Sequence, residues 1–349
     1  MDDAIKTMSF AAFTQNLTPV TSGAQIFSYY RAGLRKDTAA AADRPLIILI
    51  HGYPQTHLMW RDFVHLLPTE WDLFIADLPG YGNSIKAVDP ASSYPFSKRA
   101  MAKDILEAAD QVHKASKKVI AYGHDRGARV SYTMALTFPD RVVGTALLDI
   151  VPTVWQWHNM NPQTDHKETL IYFHWVYLAA PRPIPETMIS HDPRWYFNTL
   201  LSGYTKDKPD AAKPSWITDL VEPHCDPERG PARVAAGCED YRAGATFDIQ
   251  HDRESGIDPT SPHQKPIFNI PVLVLASAGL RSRHDVDGIW GSLVEKDKFR
   301  SYQIDNAGHF FVNEQPEEVA RRTQAWLAEF FPETNQSLSH SIEQAEVQL

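Results

Sequence analysis

Residues 118–138 read KVIAYGHDRGARVSYTMALTF, and the fold turns on them. Lys118 to Ala121 opens a short apolar strand that runs through Tyr122 into Gly123-His124-Asp125-Arg126-Gly127, and an amphipathic helical pattern, Arg129 to Phe138, follows at once. This is a strand, a sharp turn and a helix. Gly123 and Gly127 stand two positions either side of Asp125, so the backbone can turn tightly and project that side chain above the strand's C-terminal edge. That is the geometry of a nucleophile elbow. A serine there would form an acyl ester, whereas an aspartate attacks saturated carbon and forms an alkyl-enzyme ester that water must cleave. An isolated Asp near a helix start is ordinarily an N-cap, so the rest of the chain has to decide between the two readings.

Working outward, short runs rich in Ile, Val and Leu recur at Leu46 to Ile50, Leu73 to Ala76, Val142 to Ile150, Pro271 to Ala276 and Ser301 to Ile304. Helical patterns lie between them, at Lys103 to Lys114 and, after the last run, Pro316 to Phe331. Buried strands alternating with helices predict an α/β fold with a mostly parallel sheet. The rhythm breaks after Ile150, where a segment rich in Trp, Tyr and Pro shows helical patches and no convincing strand until about Lys265. The predicted organisation is a core in two parts, 1–150 and 266–332, with a helical cap inserted at 151–265. Residues 333–349 are polar and lack a core pattern, so they are expected to form a loose tail, and Lys36 to Arg44 an exposed loop.

The 349 residues are 43% hydrophobic and 22% charged, which suits a globular protein able to bury a large core. With 34 Lys and Arg against 43 Asp and Glu the formal charge is −9, and no long basic block is present. Nucleic acid and anionic membrane are therefore poor partners, and a small molecule is the better expectation. Cys225 and Cys238 make no disulfide framework and show no metal spacing, so packed free thiols in a reducing compartment are expected, with no metal and no cofactor. The opening MDDAIKTMSF lacks the basic start and apolar run of an export signal, and no apolar stretch approaches the length of a membrane span. A soluble, cytoplasmic protein is expected.

Three further motifs flank the elbow: His51-Gly52-Tyr53-Pro54 after the strand at Leu46, DLPGYGNS at 77–84 after the next, and Gly308-His309-Phe310 near the C-terminus. Together they resemble the α/β-hydrolase fold over roughly Gln25 to Pro332, and nucleophile, acid and late histidine follow that fold's chain order. His309 would activate water, and it needs a carboxylate to fix its tautomer. Two locations compete, Asp149 after one strand and Asp285 with Asp287 after another. A narrower set of matches comprises HGYPQTHLMW at 51–60, GHDRGAR at 123–129, LLDIVPT at 147–153, HW at 174–175, DYRAG at 240–244 and GHFFV at 308–312. This set resembles the haloacetate dehalogenases, including the fluoroacetate dehalogenases. The resemblance implies Asp125 as nucleophile, Asp149 with His309 as hydrolytic pair, Arg126 and Arg129 as carboxylate clamp, and His174, Trp175 and Tyr241 as halide pocket. It also implies backbone N–H groups of Tyr53 and Arg126 as oxyanion donors, and a homodimer.

The residues support that chemistry independently. Arg126 and Arg129 stand three apart at the opening of one helix, where two guanidiniums can share a face and grip a planar carboxylate. Such a clamp acts at short range, whereas the net negative field is screened beyond about 8 Å at physiological salt. Indole, phenol and imidazole donors can solvate a halide leaving into an otherwise apolar pocket, where an unsolvated anion would be costly. The expected reaction converts a small 2-haloacid to its 2-hydroxy acid. Epoxide opening by the same Asp and His pair is the alternative, with Tyr241 or the further cap tyrosines Tyr172, Tyr177, Tyr196 and Tyr204 protonating the oxygen. A second alternative is a non-catalytic module that binds an anion. An N-terminal extension and an insertion near Asp252 to Lys265 depart from the compact family pattern.

Overall fold

The computed structural model describes residues 10–34, 44–114, 117–163, 166–206, 215–261 and 264–332. Residues 36–43, most of the expected exposed loop, the start of the N-terminal extension and the expected tail at 333–349 lie outside them. Eight strands form one sheet: β1 (Thr14–Pro19), β2 (Gln25–Arg31), β3 (Leu46–Ile50), β4 (Leu73–Ala76), β5 (Val119–His124), β6 (Val142–Leu148), β7 (Val272–Ser277) and β8 (Phe299–Ile304). Their order is β1-β2-β4-β3-β5-β6-β7-β8, with β2 antiparallel to both its neighbours, β1 and β4, and every other pairing parallel.

The apolar runs are continuous because both faces of the parallel sheet are covered. Along β3, Leu46, Ile48 and Ile50 enter one core while Ile47 and Leu49 enter the other, as the two-residue period of a strand requires. Helices α1 (Lys98–His113) and α2 (Arg126–Thr137) cover the first face. The segment around Trp60 and Phe63 covers the second, with the C-terminal helix Pro316–Phe330. Between β6 and β7 lie α3 (Thr153–Asn159), α4 (His166–Ile171), α5 (Phe173–Leu178), α6 (Ile184–His191), α7 (Pro193–Tyr204), α8 (Ser215–Cys225), α9 (Gly230–Gly244) and α10 (Phe247–Glu254). No strand interrupts them among the described residues, and they form a cap on the core. Helix α11 (Val286–Leu293) and the C-terminal helix, α12, complete the core.

Two strand ends and one hairpin differ from the sequence expectation for identifiable physical reasons. Strand β5 continues past Ala121 to His124 because β3 and β6 pair with it on both sides, so α2 can begin at Arg126 and not at Arg129. Strand β6 stops at Leu148, short of Ile150, because Asp149 turns into positive φ at 55°. The hairpin of β1 and β2 is absent from the sequence reading. It is an edge element, and β1 is largely exposed with no continuous apolar run.

Candidate active site

The site forms where the parallel strands end, since side chains at their C-terminal edges converge on a crevice there. Asp125 follows β5 with φ 50° and ψ −117°, a backbone conformation rare for any residue with a Cβ. Close packing holds it. A Cβ on Gly127 would stand 2.1 Å from the Ile50 carbonyl oxygen, and one on Gly52 would stand 2.5 Å from the Asp125 Cβ. The Asp125 N–H donates to the Leu148 carbonyl (3.1 Å) and the Asp149 N–H to the Leu275 carbonyl (2.8 Å), so the sheet ladder reaches both acids.

The two carboxylates meet one imidazole. His309 Nδ1 lies 2.7 Å from Asp149 Oδ2, and its Nε2 lies 3.8 Å from Asp125 Oδ2. Asp149 is itself held by the Ser277 N–H (2.6 Å) and hydroxyl (3.2 Å) at the end of β7. The competing acids are elsewhere: Asp285 caps α11 by accepting from the Gly288 N–H, and Asp287 pairs with Arg281. Burial works against the charged form of His309, but the hydrogen bond and charge of Asp149, with the charge of Asp125, raise its pKa above the ordinary value. Asp125 is shifted the other way: burial favours its neutral form, but His309, His124, Arg126 and Arg129 together hold its carboxyl below the usual range. The Tyr53 N–H donates to Asp125 Oδ1 (2.8 Å), which leaves Oδ2 as the free oxygen. The other expected oxyanion donor, the Arg126 N–H, makes no hydrogen bond to this carboxylate among the described residues.

A cavity of about 350 Å3 opens over Asp125, with Arg129, Asp149, His174, Trp175, Tyr241 and His309 in its wall. That volume lies at the lower end of the range for small-molecule pockets. The cap brings its three aromatic groups together: the Tyr241 ring centroid is 5.7 Å from those of both His174 and Trp175. Tyr172 and Tyr204 also line the cavity, whereas Tyr177 and Tyr196 do not.

The arginine pair is asymmetric, which spacing alone did not reveal. Arg126 does not line the cavity: it is fully buried, its Nη2 donates to Asp240 Oδ1 (2.5 Å) and its Nε to the same oxygen (3.1 Å). Its Nη1 is buried with no hydrogen-bond partner among the described residues. Arg129 lines the cavity, with Nη1 donating to the Val151 carbonyl (2.9 Å) and Thr153 Oγ1 (3.2 Å) and with Nε buried and unpartnered. Both guanidiniums stand over the Trp175 ring, at 5.3 and 4.6 Å from its centroid. Sequence reasoning missed Asp240, although it sits beside Tyr241 in the quoted DYRAG stretch. It missed His124 as well, whose Nε2 lies 2.8 Å from the His309 carbonyl oxygen. Burial, joined by His309, lowers His124 to about 4, so its neutral ring donates that bond and positions the His309 backbone.

Comparison with known proteins agrees with this architecture. Residues 45–178 match the family model of the alpha/beta hydrolase fold. The chain is 33% identical to a fluoroacetate dehalogenase of Burkholderia sp over 82% of its own length and 88% of the relative's. It is 24% identical to a soluble epoxide hydrolase of Corynebacterium sp. (strain C12), over 82% of this chain and 91% of that one. Among solved structures, ALR0039 of Nostoc sp PCC 7120, described as an alpha/beta hydrolase, superposes with a TM-score of 0.75 at 32% identity, covering 91% of this chain and 99% of that one. The chain belongs to the haloacetate dehalogenase-like family of α/β-hydrolases.

Proposed function

We propose that this hydrolase cleaves the carbon–halogen bond of a small 2-haloacid, such as fluoroacetate or chloroacetate, to give the 2-hydroxy acid and halide. The observation that carries the reading is the division of labour on Asp125: Oδ1 is held by the Tyr53 N–H while Oδ2 lies 3.8 Å from His309 Nε2, and the residue lines a cavity that Arg129 also walls. The substrate carboxylate would satisfy the Arg129 Nε–H, which has no partner among the described residues, and so aim the α-carbon at Oδ2. Attack by Oδ2 forms the C–O bond as the carbon–halogen bond breaks, and halide leaves toward His174, Trp175 and Tyr241. His309 then takes a proton from water as the water oxygen attacks the Asp125 ester carbonyl. The oxyanion stays on the Tyr53 N–H. As it collapses, the bond from the Asp125 carbonyl carbon to the ester oxygen breaks, His309 returns its proton to that departing oxygen and glycolate is released from a haloacetate; Asp125 gives up its own proton to solvent to become a carboxylate again.

A second reading, epoxide opening, is favoured by one observation: Tyr172, Tyr204 and Tyr241 all border the cavity. The two are separated by assaying halide release and glycolate formation from fluoroacetate and chloroacetate, with Asp125→Asn alongside. Release by wild type alone is the expected result. A folded wild type that releases no halide, yet opens epoxides and incorporates heavy oxygen from labelled water into Asp125, would replace dehalogenation with epoxide hydrolysis.

A further inference from the structure

Arg283 sits between β7 and α11 and lines the same cavity as Arg129. It is held from outside that cavity. Its Nε lies 3.1 Å from Oε2 of Glu168, a buried residue that does not line the cavity. Its Nη1 donates to the Gly279 carbonyl (2.7 Å) and its Nη2 to the Tyr172 hydroxyl oxygen (3.0 Å). Glu168 is fixed in turn by Gln156 Nε2 (2.9 Å) and His284 Nε2 (2.7 Å), so the guanidinium has a firm mount. A guanidinium carries two N–H groups on each Nη, and one on each therefore has no partner among the described residues. The Tyr172 oxygen accepts from Arg283, and its own O–H has no acceptor among them. Burial lifts that phenol to about 12, so it keeps its proton at working pH.

Three donors thus stand beside one another in a part of the wall that the proposed reaction does not use. Two aromatic rings separate them from the carboxylate-binding end. Arg129 is 4.6 Å from the Trp175 centroid, Trp175 is 6.2 Å from Tyr172, and Arg283 is 5.4 Å from the Tyr172 centroid. Those rings offer an apolar surface to methylene groups, and a cavity of about 350 Å3 is far larger than a two-carbon acid fills. We infer that Arg283, with the Tyr172 hydroxyl, forms a second carboxylate subsite in the catalytic cavity, which admits 2-halogenated dicarboxylic acids.

The chemistry of the donors selects the ligand. A planar guanidinium matches a carboxylate, and the charge of Asp149 in the same wall weighs against a group of higher charge such as a phosphate ester. Asp149 does not consume the donors, because the Ser277 N–H, the Ser277 hydroxyl and His309 already occupy it. Lys206, also in the wall, donates instead to Asn306 Oδ1 (2.9 Å). With the near carboxylate on Arg129 and the far one on Arg283, Asp125 attacks the α-carbon and halide departs as before. The far carboxylate makes and breaks no bond, and the product is a 2-hydroxy dicarboxylic acid. Arg283 is then a specificity-determining residue. The substrate class rests on the dehalogenation reading; the subsite does not.

The test measures halide release by the full chain from 2-chlorosuccinate, 2-chloroglutarate and 2-chloroadipate, each against the 2-chloro monoacid with the same number of carbons. At the best-fitting length kcat/KM should favour the diacid about tenfold, the scale of one charge-assisted hydrogen bond. In Arg283→Gln that ratio should fall to about one, since the charged donor is gone. Should this variant not fold, Tyr172→Phe, which keeps the ring and removes one donor, should lower the ratio about threefold. No diacid preference at any length overturns the subsite, and so does a preference that survives the folded variant unchanged. Titration calorimetry with the halogen-free diacids and monoacids separates the two readings. Tighter diacid binding without halide release from any haloacid keeps the subsite and removes dehalogenation, whereas release from monoacids without tighter diacid binding removes the subsite alone.

Discussion

In the proposed reaction Asp125 must be ionised to attack and His309 neutral to accept a proton, yet in the free protein each stabilises the other's charged form. Ester formation resolves that conflict. Once Asp125 is an ester its charge is gone, one of the influences raising His309 vanishes, and the imidazole becomes a readier base for the second step. Hydrolysis of the ester should therefore rise with pH through an apparent pKa lower than the one His309 shows in the free enzyme, which NMR titration and single-turnover rates can compare. An equal or higher value in the ester would mean that Asp125 does not set the His309 charge. Asp149→Asn should slow ester hydrolysis by about 10²- to 10⁴-fold, the range of positioned general-base catalysis, with a much smaller effect on halide release in the first turnover. Intact-mass measurement gives a parallel expectation: His309→Asn accumulates the alkyl-enzyme and Asp125→Asn never forms it. Trp175→Phe removes one of the proposed leaving-group donors, so turnover should fall further with fluoroacetate than with chloroacetate. Equal losses would take Trp175 out of that pocket.

Helix α9 shows how an element can serve the site while hiding its role from periodicity. It is buried along nearly its whole length, so it presents no clean apolar stripe; Arg233 donates to the Gly82 and Pro223 carbonyls and the other charged residues are ion-paired. Glu239 pairs with Arg182 and Arg242, while Asp240 takes Lys98 from α1, Arg126 from α2 and the Tyr81 hydroxyl (2.7 Å). Asp240 thus ties cap to core one residue before Tyr241 enters the cavity. Asp240→Ala would leave Arg126 as a buried, uncompensated charge and Lys98 with Asp248 alone, and the expected loss is about 3–5 kcal/mol of unfolding free energy by urea titration. A loss below about 1 kcal/mol would mean that water or a shifted carboxylate already balances those cations. The same helix marks where sequence reading stops. Strands β3, β5 and β7 are legible because burial on both faces leaves each an unbroken apolar signature. Asp125, Asp149 and His309 are legible because strand ends and small neighbours constrain them locally. The tether from Asp240 to Arg126 spans 114 positions and leaves no local spacing to read. The β1–β2 hairpin did leave one signal, Gly23 at φ 84° in the intervening turn, but its half-exposed strands carry a weak alternation.

At the scale of the molecule, core and cap are joined again at Asp252, on the last cap helix. Its carboxylate accepts from the Val154 N–H (2.9 Å) and the Tyr132 hydroxyl (2.9 Å), and Tyr132 in turn contacts Thr153 Oγ1 (2.9 Å), the group that holds Arg129. Burial dominates those bonds and raises the Asp252 pKa from 3.8 to about 7. The folded state therefore binds this proton more tightly than the unfolded chain does. The stabilisation is complete below about pH 4, fades as pH rises through about 7, and is absent above that. Thermal melts of wild type should show a fall across this window that Asp252→Asn, which mimics the protonated carboxyl and does not titrate, lacks. The difference should amount to a few kcal/mol, since one pKa unit is worth about 1.4 kcal/mol. Parallel pH profiles for the two proteins would mean that Asp252 stays ionised and serves as the counter-ion of Arg129. That outcome bears on the chemistry as well as the fold. A neutral Asp252 leaves Asp125 as the main carboxylate acting on the Arg129 charge, so that charge faces the cavity, available to an incoming carboxylate in a protein whose overall charge of −9 would otherwise repel one.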